Sequence, residues 1–548
     1  MSARGWVIGR RALGWLALAV LPACFLTVFF AVPVLGMLRL GLLPEGSLDL
    51  TGVLEVLTRR RTLEVAWFTL WSSTVATAFA LALGVPMAAL LYRRHFVGRG
   101  AIRALVAVPF VLPTVVVGVA FRTLLADSGV LGGLGWDGTP AAIVAALVFF
   151  NISVVVRTVG VSWSQLDSRA AEAAAALGAP PVTVLRTVTL PALRPALASA
   201  ASVVFLFCAT AFGVVLTLGG LQHATIETEI YLLTTQFLDL RAAAALSLLQ
   251  FLVVVGLLFL TARTSRAPVA RRPAVEPRLA RVDWPLLTLA AATLAFLAAP
   301  MTALVVRSLR SEGRWTLAHY RALTESGPDA GLRVPVSHAV ENSLSTAVDA
   351  TLLAVVLGFL VAVLVSRSRR GSRRLVQRVF DSAFMLPLGV SAVTVGFGFL
   401  VTLDRPPFDF RGSPWLVPVA QAMVALPLVV RVLAPVLSGI DDRQRQALAC
   451  LGAGPIRAFA AVDLPVVWRP LVAAVGFAFA VSLGEFGATS FVSRPENPTL
   501  PVVIYQLIGR PGADNFGLAL AASVLLAALT VAVMALVERL RVSAVGAF

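Results

Sequence analysis

The chain contains no lysine, so all 45 of its basic side chains are arginines. A phosphate-binding loop of the G-x-x-x-x-G-K-[ST] type uses its lysine to reach the β- and γ-phosphates of a nucleotide. The absence of lysine therefore excludes a standard ATP site of this kind. We expect no enzymatic activity in this chain alone, and any energy for its function must come from a partner or from an ion gradient.

Cysteine, histidine and charged residues are also scarce. The three cysteines, Cys24, Cys208 and Cys450, lie far apart in the sequence, which argues against a disulfide framework. The four histidines show no H-x-x-x-H spacing, which argues against a metal-hydrolase centre, and we predict no metal ligands. Only 13% of the residues are charged, whereas soluble domains have about 25%. A soluble protein is therefore not expected.

Long apolar runs occupy most of the sequence. The chain is 58% hydrophobic and its mean hydropathy is +0.89. Runs of about 20 apolar residues are long enough to cross a bilayer as helices. The twelve predicted spans are residues 14–38, 63–91, 102–124, 141–160, 195–217, 241–262, 284–306, 343–366, 377–402, 415–437, 468–492 and 515–537. We predict an all-α polytopic membrane protein with about twelve transmembrane helices, which has lipid as a partner.

The arginines indicate the orientation of the chain. A net charge of +17 would suggest nucleic acid as the partner of a soluble protein. Here, however, arginines cluster in short loops after the second, sixth and eighth spans, at 93–103, 263–281 and 367–374. Arginine-rich loops face the cytoplasm, so we expect cytoplasmic termini and no nucleic-acid partner. Arg59–Arg61 conflict with this rule, because they lie on the outer side, and an interfacial helix outside the membrane could carry them.

The two halves of the chain repeat each other at an offset of 274 residues. The matching positions are Gly84 and Gly358, Leu112–Pro113 and Leu386–Pro387, Arg157 and Arg431, Asp167 and Asp441, Phe212–Gly213 and Phe486–Gly487, and Ile230–Tyr231 and Ile504–Tyr505. We predict two homologous six-helix repeats, 1–262 and 284–548, joined by a cytoplasmic linker at 263–283. Parallel repeats of this kind are related by an axis along the membrane normal, and we expect a transport pathway on that axis.

One repeated stretch, 172–191, stands out because it lies between two apolar spans and recurs at 446–465. The first copy has the spacing E-A-A-x3-G-x11-L-P, with its glycine at Gly178 and its proline at Pro191. Strong helix formers precede the glycine, so we expect a helix that stops there, a second short helix from Val182, and a span opened by Pro191. A rigid helix–glycine–helix on the membrane surface can dock into a groove of a partner. An ordinary amphipathic connecting loop is the alternative, but it does not explain two copies in one register.

Both copies resemble the EAA loop of ABC importer permeases, the cytoplasmic loop through which a separate ATPase drives transport. The resemblance implies a permease with both halves fused in one chain, and with EAA loops at about 163–194 and 438–467. The residues it implicates in ATPase coupling are Glu172, Ala173, Ala174, Gly178, Pro191, Gln446, Ala447, Gly452 and Pro465. Gln446 and Leu448 depart from the motif glutamate and alanine, so an ion pair of that glutamate is not expected in the second half.

The same resemblance implies the partners and the location. They are two copies of a cytoplasmic ABC ATPase, which would use ATP and Mg, and an extracytoplasmic substrate-binding protein, in the bacterial inner membrane. No cofactor is implied for this chain itself. Three stretches, 218–231, 241–250 and 483–507, look most like thiamine importer permeases, with ferric iron importers close behind. A secondary transporter driven by an ion gradient, and a pore, remain the alternative functions.

Ionisable residues within predicted spans are candidates for functional roles. Glu485 in span 11 and Asp349 in span 8 could face the pathway, where a carboxylate would suit a cationic substrate; either could instead be a structural carboxylate bonded to a neighbouring helix.

Two further pairs lie near the EAA loops. Arg157 and Arg431 are expected to anchor these loops, through Asp167 and Asp441, rather than to touch substrate.

The stretches 218–231 and 493–505 each follow the fifth span of their half. Both are expected to be irregular loops at the outer mouth of the pathway.

Overall fold

A computed structural model describes residues 18–43, 46–264, 279, 283–311, 313–325, 332–366, 384, 391–404, 406 and 409–545. Most of the predicted linker 263–283, the predicted pair Leu386–Pro387 and the arginine cluster at 367–374 lie outside the described residues. The first part of the predicted span 377–402 also lies outside them.

The described part of the chain is almost entirely helical, which confirms the predicted all-α class. Within it, ten helices are long and apolar enough to cross a membrane: Leu18–Leu42, Arg60–Arg93, Pro140–Ser164, Pro181–Ala209, Leu240–Leu257, Trp284–Ser308, Val336–Ser366, Leu416–Gly439, Ile456–Gly484 and Ala513–Val537. A bent pair, Arg99–Val111 with Thr114–Leu125, raises this number to eleven if it counts as one span. Of the remaining predicted span, 377–402, the structure describes the short helix Ala392–Thr402.

The bent pair corresponds to the predicted span 102–124. Its two helices turn by 103° at Leu112 and Pro113. Leu112 has φ −64° and ψ 140°, outside the helical region, because the ring of a following proline disfavours helical backbone in the preceding residue. The apolar run is therefore not one straight helix.

Shorter elements connect these helices. They are the helices Leu50–Thr58, Gly132–Leu134, Arg169–Ala176, Gly213–Gly219, Ile226–Thr235, Ala318–Glu325, Asp442–Cys450, Thr489–Val492 and Leu500–Ile508, and the antiparallel strands Arg310–Ser311 and Arg314–Trp315. The helices Leu240–Thr264 and Ala513–Val545 contain the membrane-length segments Leu240–Leu257 and Ala513–Val537. The interfacial helix suggested for Arg59–Arg61 does not carry them: the helix Leu50–Thr58, which exposes Leu50 and Leu54, ends before Arg59, and Arg60 and Arg61 begin the long helix Arg60–Arg93.

The described residues form two compact units, and these do not coincide with the predicted repeats 1–262 and 284–548. One unit is Thr51–His319, and the other combines residues of Met1–Leu50 with Tyr320–Phe548. Each unit thus contains the first long helix of the opposite half. The reason is close packing between small residues. In the second unit, for example, a Cβ added at Gly36 would lie 1.9 Å from Cγ2 of Thr402, and one added at Gly398 would lie 2.9 Å from Cβ of Pro33.

The repeated glycines, Gly84 and Gly358, each allow a close helix–helix contact inside one unit. A Cβ added at Gly84 would lie 2.7 Å from Cβ of Val155, and one added at Gly358 would lie 2.8 Å from Cγ1 of Val429. Val155 and Val429 are themselves 274 residues apart. The internal repeat therefore preserves both sides of the contact.

We predict that Gly84→Leu and Gly358→Leu each lower the free energy of unfolding by about 1–3 kcal/mol, because an overpacked core forces helices apart. The measurement is thermal unfolding of the purified protein in detergent. Gly256→Leu is the matched control, since a Cβ at this helical glycine meets nothing within 4 Å. Equal unfolding midpoints for Gly84→Leu and Gly256→Leu would contradict the contact.

The stretches 218–231 and 493–505 were expected to be irregular, and this expectation is wrong for much of their length. Each contains the start of a buried helix, Ile226–Thr235 or Leu500–Ile508. The Ile226 N–H donates to Oγ1 of Thr69 (3.0 Å), and the Leu500 N–H donates to Oγ of Ser343 (2.6 Å). Thr69 and Ser343 satisfy a backbone donor that the first turn of a helix leaves free, and so join each short helix to a long helix of its unit.

Candidate functional site

The two EAA-like loops each contain a short exposed helix. We call Arg169–Ala176 the first loop helix and Asp442–Cys450 the second loop helix. Neither has a buried residue in the described structure. Both predicted loops, 163–194 and 438–467, therefore present a helix at the protein surface, but this helix occupies only a part of each.

A glycine ends each loop helix, as predicted, and its backbone is left-handed. Gly178 has φ +86° and Gly452 has φ +79°. After the first loop helix, the Ala179 N–H donates to the Ala174 carbonyl (3.1 Å) and the Gly178 N–H to the Ala175 carbonyl (3.0 Å). This pair of bonds closes the end of a helix, and it requires the left-handed conformation that glycine adopts without strain. The second loop repeats the pattern at Ala453 and Gly452.

A long helix follows each glycine, and it begins earlier than predicted. We call Pro181–Ala209 the first stem helix and Ile456–Gly484 the second stem helix. Pro191 does not open its span, and neither does Pro465, because both lie inside these continuous helices. The helix widens by one residue just before each proline: the Leu190 N–H bonds to the Leu185 carbonyl, and the Leu464 N–H to the Phe459 carbonyl. A wider turn accommodates a ring that would clash in a regular α-helix.

The surface around both loop helices exposes large apolar side chains. Leu177 is 90% exposed, Leu451 82% and Ile456 84%. Glu172 and Ala173 of the first loop helix are exposed, as are Gln446 and Ala447 of the second, and Ala174 is half-buried. An exposed patch of apolar side chains is typical of a surface that docks a partner.

Asp167 and Asp441 start the loop helices, which is a different role from the one predicted. The Asp167 carboxylate accepts the Arg169 N–H (3.1 Å), and the Asp441 carboxylate accepts the Arg443 N–H (2.9 Å). Carboxylates at this position satisfy free donors of the first turn. Arg157 and Arg431 are exposed, and neither forms an ion pair with Asp167 or Asp441 in the structure. Anchoring of the loops through these pairs is therefore not observed.

One ion pair in the second loop escaped the sequence analysis. Arg445 of the second loop helix donates from Nε to Oδ1 of Asp463 (3.0 Å), bonds the same oxygen through a second guanidinium nitrogen, and contacts Asp442 (2.6 Å). Asp463 is 1% exposed and lies in the second stem helix. Burial lowers the pKa of the Arg445 guanidinium, but its bonds to Asp463 and Asp442 outweigh this effect and raise that pKa. The sequence could have drawn attention to Asp463, because this acid directly precedes the Leu464–Pro465 pair of the motif.

Glu485 bonds to residues that follow it in its own chain segment, which favours the structural alternative over the pathway role predicted for it. Its Oε1 accepts the Ala488 N–H (2.7 Å), and its Oε2 accepts the Thr489 N–H (3.0 Å) and the Thr489 hydroxyl. The residue is buried, at the end of the second stem helix. Both oxygens thus stabilise the backbone where the helix Thr489–Val492 begins, which is a structural role.

We predict that Glu485→Gln lowers the free energy of unfolding by about 1–3 kcal/mol, because an amide nitrogen would face a backbone donor that loses its acceptor. The apparent KM of uptake should stay unchanged, since the side chain is directed at its own loop. Asp349→Asn is the matched comparison. Asp349 is half-buried in the helix Val336–Ser366 and has no hydrogen bond or ion pair among the described residues, so we expect little loss of stability there. A raised KM with unchanged stability for Glu485→Gln would show that Glu485 contributes to the substrate pathway.

Two buried glutamates in the first half also escaped the sequence analysis. Glu227 and Glu229 lie on the helix Ile226–Thr235 and are 0% and 3% exposed. Glu229 forms an ion pair with Arg61 (2.8 Å), and Glu227 accepts a hydrogen bond from Gln250 (3.0 Å). The corresponding residues of the second half are Pro501 and Val503. The comparison of the two repeats therefore could not identify these acids as functional or structural candidates.

These features define a class: a multi-pass helical membrane protein with two homologous repeats, each with an exposed loop helix before a stem helix. The comparison with known families specifies the class further. The model of the family described as "Binding-protein-dependent transport system inner membrane component" matches residues 80–268 and again residues 354–542. The chain belongs to this family, whose members are the membrane permease subunits of ABC importers. The second match begins 274 residues after the first, which is the offset of the internal repeat.

The chain is also similar to individual permeases over most of its length. It is 29% identical to the thiamine transport system permease protein ThiP of Brucella abortus (strain 2308), covering 88% of this chain and 89% of that protein. It is 28% identical to ThiP of Escherichia coli (strain K12), over 81% and 83% of the two chains. The probable ABC transporter permease protein y4fN of Sinorhizobium fredii (strain NBRC 101917 / NGR234) is 27% identical over 97% of each chain.

Proposed function

We propose that this chain moves thiamine inward across the bacterial inner membrane, with a separate cytoplasmic ABC ATPase docked on its two loop helices. The proposal places both termini and both loop helices in the cytoplasm, and a substrate-binding protein on the opposite side. One chain carries two docking loops, so it takes two ATPase subunits. ATP and Mg belong to those subunits.

The pair of loop helices is the observation that carries this proposal. Each has no buried residue, ends at a left-handed glycine and leads within a few residues into a stem helix. A force on the loop helix is therefore transmitted to a helix long enough to cross the membrane. ATP binding would close the ATPase dimer, draw the loop helices together and open the pathway outward. Hydrolysis would reset it, in a cycle between two populated states.

Thiamine is favoured as the substrate because the similar permeases of Brucella abortus and Escherichia coli are thiamine transport system proteins. Ferric iron is the alternative cargo, through the resemblance of 218–231 and 483–507 to iron importer permeases. An ion-coupled secondary transporter is a more distant alternative, because it would have no use for two exposed loop helices.

The test is uptake by proteoliposomes that contain the chain, the ABC ATPase and the substrate-binding protein. We expect ATP-dependent accumulation of labelled thiamine, no accumulation of ferric iron, and co-purification of the ATPase with the chain. ATP-dependent accumulation of iron would show that the substrate is ferric iron, and the chain would still be an ABC importer permease. Uptake that follows an ion gradient without ATP would overturn the proposal.

A further inference from the structure

The two loop helices are held differently, and the difference is the Arg445–Asp463 ion pair. Arg445 lies on the second loop helix, and Asp463 lies inside the second stem helix. Their side chains are 17% and 1% exposed. An arginine that bonds one carboxylate through two nitrogens has little freedom to rotate. The pair therefore connects the exposed helix to the base of its spanning helix, in addition to the backbone that joins them.

The first loop lacks this connection. The residues 274 positions before Arg445 and Asp463 are Ala171 and Thr189, which cannot form an ion pair. In the described structure the Asp167 carboxylate accepts the Arg169 N–H at the start of the first loop helix, and the exposed Glu172 of that helix forms no ion pair. At the position of Glu172, the second loop helix has Gln446. The first loop helix thus has the exposed carboxylate of Glu172, which forms no ion pair in the described structure. The second loop helix has the Arg445–Asp463 ion pair instead.

We infer that the Arg445–Asp463 pair makes the second loop helix a rigid extension of its stem helix, whereas the first loop helix is ordered by the ATPase subunit that binds it. Arg445 and Asp463 are positioning residues, because they act through the orientation of the loop helix. A preorganised surface loses less conformational entropy on binding. The second loop therefore transmits motion of its ATPase directly, and the first relies on an intermolecular contact of Glu172. This inference rests on the proposed docking of an ATPase.

The first test needs no partner. Hydrogen–deuterium exchange of the purified chain should show slower exchange for residues 442–450 than for 169–176, after correction for intrinsic rates. Arg445→Gln should raise exchange in 442–450 by roughly tenfold, which corresponds to the loss of about 1.4 kcal/mol of local stability. Arg443→Gln is the control: it removes the same charge from the same helix, but its side chain is in no ion pair in the structure, so exchange should not change.

Two further variants keep the test decisive if Arg445→Gln folds poorly. Arg445→Gln combined with Asp463→Asn removes the pair without leaving a buried charge alone, and should also abolish the protection of 442–450. Ala171→Arg with Thr189→Asp introduces the pair into the first loop, and should slow exchange in 169–176. Equal exchange of the two loop helices in the unmodified chain, or no response to loss of the pair, would overturn the inference.

The second test measures coupling in proteoliposomes with the ABC ATPase and the binding protein. Arg445→Gln should raise the ATP hydrolysed per substrate transported several-fold, and Arg445→Gln/Asp463→Asn should do the same. A changed exchange rate with an unchanged ratio would overturn the role in coupling. If the unmodified chain binds no ATPase, the proposed function fails, while the exchange result still decides whether the loop helices differ in rigidity.

Discussion

Gly178→Val and Gly452→Val are each expected to lower transport by roughly tenfold or more while ATP hydrolysis continues, as the left-handed conformation costs an L-residue roughly 1–2 kcal/mol and a β-branched one more. Both glycines have positive φ, +86° and +79°. A valine relieves this strain by leaving the left-handed region, which changes the angle between the loop helix and its stem helix. The docked ATPase would then move a loop helix that no longer moves the stem helix.

The open space around Gly178 and Gly452 shows that a valine there would cause backbone strain and no steric conflict. A Cβ added at Gly178 or at Gly452 meets no atom within 4 Å, so the size of the side chain alone is harmless. Asparagine tolerates the left-handed conformation, and Gly452→Asn should therefore retain most of the transport. Gly454→Val is the matched control, because this glycine of the same loop has equally open space and no positive φ.

The measurement compares substrate uptake with ATP turnover in proteoliposomes that contain the partner ATPase. Normal uptake per ATP in both valine variants would show that the left-handed glycines do not set the coupling geometry. Equal losses in Gly454→Val would instead point to the contact surface of the loop.

The sequence predicted the helical class and the loop helices because the evidence for both is local. Apolar runs of membrane length indicate spans whatever their neighbours are, and helix formers followed by a glycine indicate a helix end. The start of each stem helix was wrong for a local reason as well. Proline is favoured in the first turn of a helix, so Pro181 and Pro191 were equally good starts. Only the widened turn before Pro191 shows that the helix passes through it.

Long-range partners could not be predicted. Arg59–Arg61 did not fit the predicted orientation, and the structure gives each of them an acidic partner: Arg59 pairs with Asp239, Arg60 with Glu64 and Arg61 with Glu229. Two of these partners are more than 160 residues away in the sequence. For Glu485 the sequence analysis did consider a structural role, but with a neighbouring helix, whereas its partners are only three and four residues away. An acid within a predicted span was interpreted as a candidate pathway residue, although Glu485 stabilises the start of the helix Thr489–Val492.

The Arg61–Glu229 pair is expected to give the largest effect on stability. Arg61→Gln should lower the free energy of unfolding by about 3–5 kcal/mol, because it leaves a buried carboxylate without its partner. The Glu229 side chain is 5% exposed, whereas the Arg61 side chain is 43% exposed. The reverse change, Glu229→Gln, should cost clearly less, since the Arg61 guanidinium can still reach water. The double variant Arg61→Gln/Glu229→Gln should regain most of what Arg61→Gln loses, because no buried charge remains.

Arg60→Gln is the matched control for this prediction. Arg60 is the neighbouring residue and forms an ion pair with Glu64 (2.8 Å), but the two side chains are 93% and 55% exposed. An exposed pair one helical turn apart contributes only about 0.3–0.5 kcal/mol, so thermal unfolding in detergent should barely change. If Arg60→Gln and Arg61→Gln shift the unfolding midpoint equally, burial of Glu229 is not what makes the pair strong. A loss in the double variant as large as in Arg61→Gln would instead assign the effect to other contacts of Arg61, such as its bond to the Leu221 carbonyl (3.2 Å).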